Sequence, residues 1–173
     1  MKKFYNTCAA IAVVLASPAI ASDADVLPSA DDDIAIYRTA GPWTVYQNNT
    51  RKHCLIAQKG DNGGLVQMGL SKSGDYGYVG AFSQSAEVQE GLKEVVVLVN
   101  DNVYTGEASG VGTGLEDGYK GGYIRVNNPN FVKDLEKEGE MIAFPDTPYI
   151  YTINLAGTKN AIYEARKCTE ELQ

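Results

Sequence analysis

Ten short runs rich in Val, Ile and Tyr lie between Ile34 and Leu155, each bounded by a cluster of turn residues. Runs of β-formers at this cadence point to an all-β domain, because helices need longer stretches with a 3.6-residue apolar period. The expected strands are residues 34–38, 43–47, 54–59, 64–70, 76–83, 94–99, 103–107, 119–126, 140–144 and 149–155. Asp61-Asn62-Gly63 signals a hairpin, since Asn-Gly tolerates the positive φ angles of a tight turn, and Asn100-Asp101-Asn102 plays a similar part. The run 95–99 shows no apolar–polar alternation, which predicts burial on both faces.

Two helices interrupt this texture. Asn128 is a good N-cap and Pro129 suits the first helical position, so a short helix is expected over 129–138. Phe131, Val132 and Leu135 share its apolar face, and Gly139 can end it. A second helix is expected over 158–170, where Ala161, Ile162, Ala165 and Cys168 form a narrow apolar stripe. The fold class is therefore mainly β: an antiparallel sandwich or barrel-like domain with a short helix and a docked C-terminal helix.

Residues 1–21 read as a secretory signal. Lys2 and Lys3 precede an apolar stretch, and Ala19-Ile20-Ala21 before Ser22 is a small-residue cleavage motif that places the cut between Ala21 and Ser22. The apolar stretch is short of the roughly 20 residues that cross a bilayer, and no later segment is long and apolar enough to span one. Two amino-terminal lysines and a short core suit a bacterial exporter, so a periplasmic or secreted address is expected. Residues 22–33 are acidic and poor in large apolar groups, and read as a flexible leader. Residues 34–173 then form a single β-rich domain. The Asp31-Asp32-Asp33 run lacks the spaced oxygens and turn glycine of a calcium loop.

With the signal removed, two of the three cysteines remain, Cys54 and Cys168. In an oxidising compartment an even count of two argues for a bridge. It would close a loop of more than a hundred residues and in the chain-entropy account contribute about 4 to 5 kcal/mol. The sole histidine, His53, neighbours Cys54 in a strand and so points to the opposite face, which argues against a zinc site.

Composition excludes more than it selects. The formal charge of −7 becomes two units more negative once Lys2 and Lys3 leave with the signal, a poor balance for nucleic acid. One histidine and no Gly-x-Ser-x-Gly elbow leave no serine-hydrolase template. Gly110-Val111-Gly112-Thr113-Gly114 resembles a phosphate loop only superficially, with no following helix and no Lys-Ser/Thr ending, so no cofactor is expected. The stretch 106–122 carries seven glycines and reads as a long connection that is either functional or simply loose. Carboxylate-pair chemistry stays open, with Glu107, Glu116 and Asp117 as candidates for a small glycan hydrolase.

Tyrosine is over-represented, eleven against four phenylalanines and one tryptophan. Tyr76 with Tyr78, and Tyr149 with Tyr151, share strand faces and form a candidate contact surface, the alternative being ordinary sheet packing. The reading that follows is a non-enzymatic binding module with an envelope or host protein as partner, its oligomeric state left open; the other readings are the glycan hydrolase and a ligand-binding barrel.

Gly41-Pro42-Trp43-Thr44-Val45-Tyr46 followed by Cys54-Leu55-Ile56-Ala57-Gln58 resembles the W-x-V, C, Q opening of the invasion-associated locus B family, small exported alphaproteobacterial proteins. Phe131-Val132-Lys133-Asp134-Leu135, the stretch 151–158, Ala161-Ile162 and Cys168 resemble the family's tail. The Gly- and Tyr-rich centre and the lack of a central cysteine pair depart from it. The resemblance implies a β-sandwich-like envelope protein without enzymatic activity, in some members linked to host-cell interaction, and supplies no catalytic residues.

Overall fold

The computed structural model describes residues 26–71, 77–85, 94–108 and 118–173. The ten strands are β1 (Ile34–Ala40), β2 (Trp43–Asn48), β3 (His53–Lys59), β4 (Gly64–Leu70), β5 (Gly77–Ser83), β6 (Glu94–Val99), β7 (Asn102–Glu107), β8 (Lys120–Val126), β9 (Glu140–Ala143) and β10 (Tyr151–Asn154). Helix α1 is Asn130–Leu135 and helix α2 is Thr158–Glu171. All ten expected strands form, with ends displaced by no more than two residues. They make two antiparallel sheets: sheet A in the order β1-β2-β3-β4-β5-β8, and sheet B in the order β10-β9-β6-β7. Neither sheet closes on itself, so the molecule is a sandwich and the barrel alternative falls.

Sheet A is the wider sheet, and two different covers share its inner face. Sheet B lies over β4, β5 and β8, while α2 lies over β1, β2 and β3. Between the layers Trp43, Val45, Ile56, Val66 and Val79 of sheet A meet Val95, Val97, Met141 and Ile153 of sheet B and Ala161 and Ile162 of α2, all nearly inaccessible to solvent. The expected bridge is present. Cys54 and Cys168 are joined across a separation of 114 residues, their Cα atoms 6.0 Å apart, tying α2 to β3.

Several local expectations are revised. The β6–β7 hairpin is a two-residue turn, with Val99 paired to Asn102 and both Asn100 (φ 47°) and Asp101 (φ 70°) left-handed, the type I′ geometry that matches strand twist. The β3–β4 connection is looser: Lys59 pairs with Leu65, a 3-10 turn spans Asp61–Gly63, and of its three residues only Gly63 has positive φ. Val95, Val97 and Val99 are fully buried, whereas Val96 and Leu98 face outward and are half-buried. Sheet B therefore has one core face, not two. Helix α1 is shorter than expected because the chain tightens into i→i+3 bonds at Lys137 and Glu138, the latter left-handed at φ 55°. Asn128 still caps it, its Oδ1 accepting the Asn130 N–H at 2.9 Å.

The outer face of sheet A is also apolar. Leu55, Leu65, Tyr78, Phe82 and Tyr123 form a second buried cluster there, joined by Val26 with Leu27 packed beside it. Residues 26–33, expected as part of a flexible leader, are therefore held by contacts. Val26 is buried, and Asp32 accepts hydrogen bonds from Asn48, Arg51 and the Ser29 N–H at 2.7 to 2.9 Å. Asp33 accepts from Asn49 at 3.1 Å. Composition treated these aspartates as solvated, but the β2–β3 turn supplies them with donors. Residues 22–25 and the whole of the expected signal, with its expected cleavage junction Ala21–Ser22, lie outside the described residues.

Candidate functional site

A cleft opens where α2 leaves the end of sheet A uncovered. His53 begins β3 and Leu70 ends β4, so both stand at one end of the sheet; α1 brings Phe131 and Leu135, and α2 brings Ile162, Ala165, Arg166, Thr169 and Glu170. The cleft holds about 260 Å³. Its floor is apolar and closely packed: Cys54, Ile56, Met68, Phe131, Leu135 and Ile162 are each no more than 4% exposed. Its rim is polar, with Arg166, Glu170 and Gln173 exposed.

The polar groups deeper in are committed. The Thr169 hydroxyl accepts the Cys54 N–H at 3.0 Å and donates to the Ala165 carbonyl at 3.0 Å. His53 is buried; its Nε2 donates to the Leu70 carbonyl, and its ring centroid lies 6.0 Å from that of Tyr78. The disulfide closes one wall. Stapling, not reactivity, is what Cys54 and Cys168 supply, since both sulfurs belong to residues 1–2% exposed.

Two of the four tyrosines proposed from sequence as a contact surface, Tyr78 and Tyr151, are interior. Tyr151 is 2% exposed and bridges the two sheets, donating from its hydroxyl to the Leu65 carbonyl at 2.7 Å and accepting the Phe82 N–H at 3.1 Å. Burial pushes its phenol far above the ordinary value of 10.0, against the opposing effect of the Phe82 N–H. Tyr78 is 1% exposed, its hydroxyl has no hydrogen-bond partner among the described residues, and burial raises its phenol well above 10.0. Tyr149 is half-buried against Phe144, 5.2 Å between ring centroids, and Tyr76 lies outside the described residues. The physical reason is glycine. Tyr78 sits directly opposite Gly69, and Tyr123 opposite Gly80, where any added Cβ would come within about 2.5 Å of the ring. A Cβ on Gly64 would stand 2.2 Å from the Tyr151 ring. Each ring occupies the space a side chain would have filled.

The carboxylate-pair candidates do not converge on the cleft. Glu107 is exposed at the end of β7, directly opposite Glu94 in the register, and Glu116 and Asp117 lie outside the described residues, as do residues 109–117 of the glycine-rich stretch. The buried carboxylate is instead Asp134 on α1. It accepts from Lys137 Nζ and the Tyr104 hydroxyl, both at 2.6 Å, and from Asn102 at 2.9 Å, while its carbonyl accepts from Asn100 at 2.7 Å. The Lys137 and Tyr104 hydrogen bonds hold the carboxyl below 3.8, and burial with the Asp134 bond raises the Tyr104 phenol. This network ties α1 to the β6–β7 hairpin.

Among the described residues no group of three or more His, Cys, Asp or Glu could hold a metal, and no helix is long and apolar enough to cross a membrane. A second hollow, of about 560 Å³, lies on the outer face of sheet B, but its floor is only the half-buried Leu98 and Ile142 among polar walls. Sequence reasoning missed Arg166, Glu170 and Met68 as cleft residues. The signal was there in part: Ala165 puts the smallest side chain on the α2 stripe where the cleft opens, with two opposite charges one turn apart beside it. No protein-family model matches the chain, and no curated protein or solved structure matches it either.

Proposed function

We propose that this chain is an exported bacterial envelope protein, delivered to the periplasm or beyond, that works as a non-enzymatic binding module. Its binding site is the cleft bounded by α1, α2 and the end of sheet A. The observation that carries this reading is the cleft's construction: a buried apolar floor under an exposed charged rim, with a wall held by a covalent bridge. Sites of this kind bind by apolar contact and select by a few polar groups. The disulfide accords with an oxidising compartment. The resemblance of the Trp43–Val45–Cys54–Gln58 pattern to the invasion-associated locus B family supports the same class. The partner surface therefore shifts from the tyrosine faces to the cleft.

The test is methyl-detected NMR of the disulfide-bonded protein against a set of small amphiphilic fragments. Binding should perturb Met68 and Ile162, and Ala165→Trp, which fills the cleft from its half-buried helical wall, should abolish the perturbation. Absence of any fragment bound there overturns the site. A reproducible glycan-hydrolysing activity lost in Glu107→Gln overturns the non-enzymatic reading.

A further inference from the structure

Arg166 and Glu170 stand one helical turn apart on α2 at the mouth of the cleft, a spacing that brings side chains to within about 5–6 Å at Cβ. Both are exposed, and neither forms an ion pair with the other or with another described residue. Elsewhere on α2 the acidic groups have partners: Glu164 pairs with Arg38 at 2.8 Å and Glu171 accepts from the Tyr37 hydroxyl at 2.9 Å. One cation and one anion are thus left side by side above an apolar floor.

We infer that the cleft takes a small aliphatic α-amino acid, with its side chain on the apolar floor, its carboxylate on Arg166 and its ammonium on Glu170. The inference rests on the cleft being the binding site. Size, charge and lining each narrow the class. At about 260 Å³ the space falls below the roughly 300–1,000 Å³ of pockets for drug-sized ligands. A simple fatty carboxylate would meet Glu170, and a simple amine would meet Arg166; a zwitterion satisfies both. The floor is built of Ile56, Met68, Phe131, Leu135 and Ile162 with no free polar side chain among them, a lining that an aliphatic side chain matches. Thr169 and His53 already hold partners inside the chain, so the head-group contacts fall to the two rim charges.

Calorimetry and NMR on the full disulfide-bonded chain decide the matter, with three probes: L-leucine, 4-methylpentanoate, which lacks the ammonium, and 3-methylbutylamine, which lacks the carboxylate. Leucine should bind up to about fivefold more tightly than either analogue, the scale of an exposed charge pair. Arg166→Gln should weaken leucine by that factor and leave the amine unchanged or tighter; Glu170→Gln should weaken leucine and leave the carboxylate unchanged or tighter. Both positions are exposed, so both variants should keep the wild-type circular dichroism. Equal binding of all three probes, or no leucine shift at Met68, overturns the amino-acid assignment. If a capped leucine peptide, with both charges blocked, then binds and Ala165→Trp stops it, the cleft remains a binding site for a protein segment. If nothing binds, both readings fall.

Discussion

One inner face of sheet A meets two covers, and the two halves are finished differently. Where sheet B lies over β4, β5 and β8, strand meets strand and the side chains interdigitate. Tyr151 fills the space over Gly64 and spends its hydroxyl on the backbone of β4 and β5. Where α2 lies over β1, β2 and β3, a cylinder rests on a twisted surface, and its flank leaves the cleft beside His53 and Leu70. Packing, with the Tyr151 hydroxyl, secures the first half. The second needs ties: the Cys54–Cys168 bridge, the Thr169 bond to the Cys54 N–H, and the Arg38 and Tyr37 contacts to Glu164 and Glu171. A helix cover trades closure for an opening, and the ties hold that opening in shape.

The largest effect should come from cutting the staple. Cys54→Ala with Cys168→Ala should lower stability by about 4 kcal/mol, measured by urea unfolding. Hydrogen exchange should accelerate in α2, β1 and β2 well before β4, β5 and β8. Uniform acceleration would mean that the two halves unfold as one unit. Tyr151→Phe comes next, at about 1–3 kcal/mol, because it strands the buried Phe82 N–H and removes a donor from Leu65.

Smaller again is the acid response. The Asp134 carboxyl is held below 3.8 by hydrogen bonds from Lys137 and Tyr104. Burial pushes the Asp32 carboxyl up, but bonds from Asn48, the Ser29 N–H and Arg51, with the charge of Arg51, outweigh it and hold it below 3.8 as well. A depressed folded value means stability that is full above the unfolded value and lost as pH falls through the folded one. The urea midpoint should therefore drop between about pH 5 and pH 2, and less steeply in Asp134→Asn. Smallest is Tyr78→Phe. Its hydroxyl is buried without a partner among the described residues, so removal should change stability by no more than about 0.5 kcal/mol, or raise it. Loss of one phenolic hydroxyl should thus be costly at Tyr151 and almost without effect at Tyr78.

Strand positions were legible because each run carries its own turn signals, and the bridge was legible because only two cysteines lie beyond the expected signal. What the runs could not reveal was which face each residue uses once two layers cover the sheet. Tyr78 and Tyr151 look like a contact surface in one dimension. Only the register places Gly69 opposite Tyr78 and Gly80 opposite Tyr123, and only the stacking of the sheets brings Gly64 under Tyr151. The excess of tyrosine and part of the excess of glycine are one feature, not two. Val26 and Asp32 escape composition for a related reason: Val26 packs on the outer face of sheet A, and the partners of Asp32 are Asn48 at the end of β2 and Arg51 in the β2–β3 turn, which composition does not see. The cleft rim was hidden because Arg166 and Glu170 look like any helical pair until the floor beneath them is known.

The bridge also decides how the molecule would bear a load. It makes residues 54–168 a closed covalent ring, so tension applied through the chain on either side passes from Cys54 straight to Cys168. Strands β4 to β10, α1, and all of β3 and α2 but His53 and the last three residues of α2 lie on that ring and are sheltered from the pull. Of the complete strands only β1 and β2 lie in line with it, and they would peel away from the edge of sheet A one pair of bonds at a time. Under such a load the floor of the cleft, built from residues inside the ring, would keep its shape after the leading strands had given way.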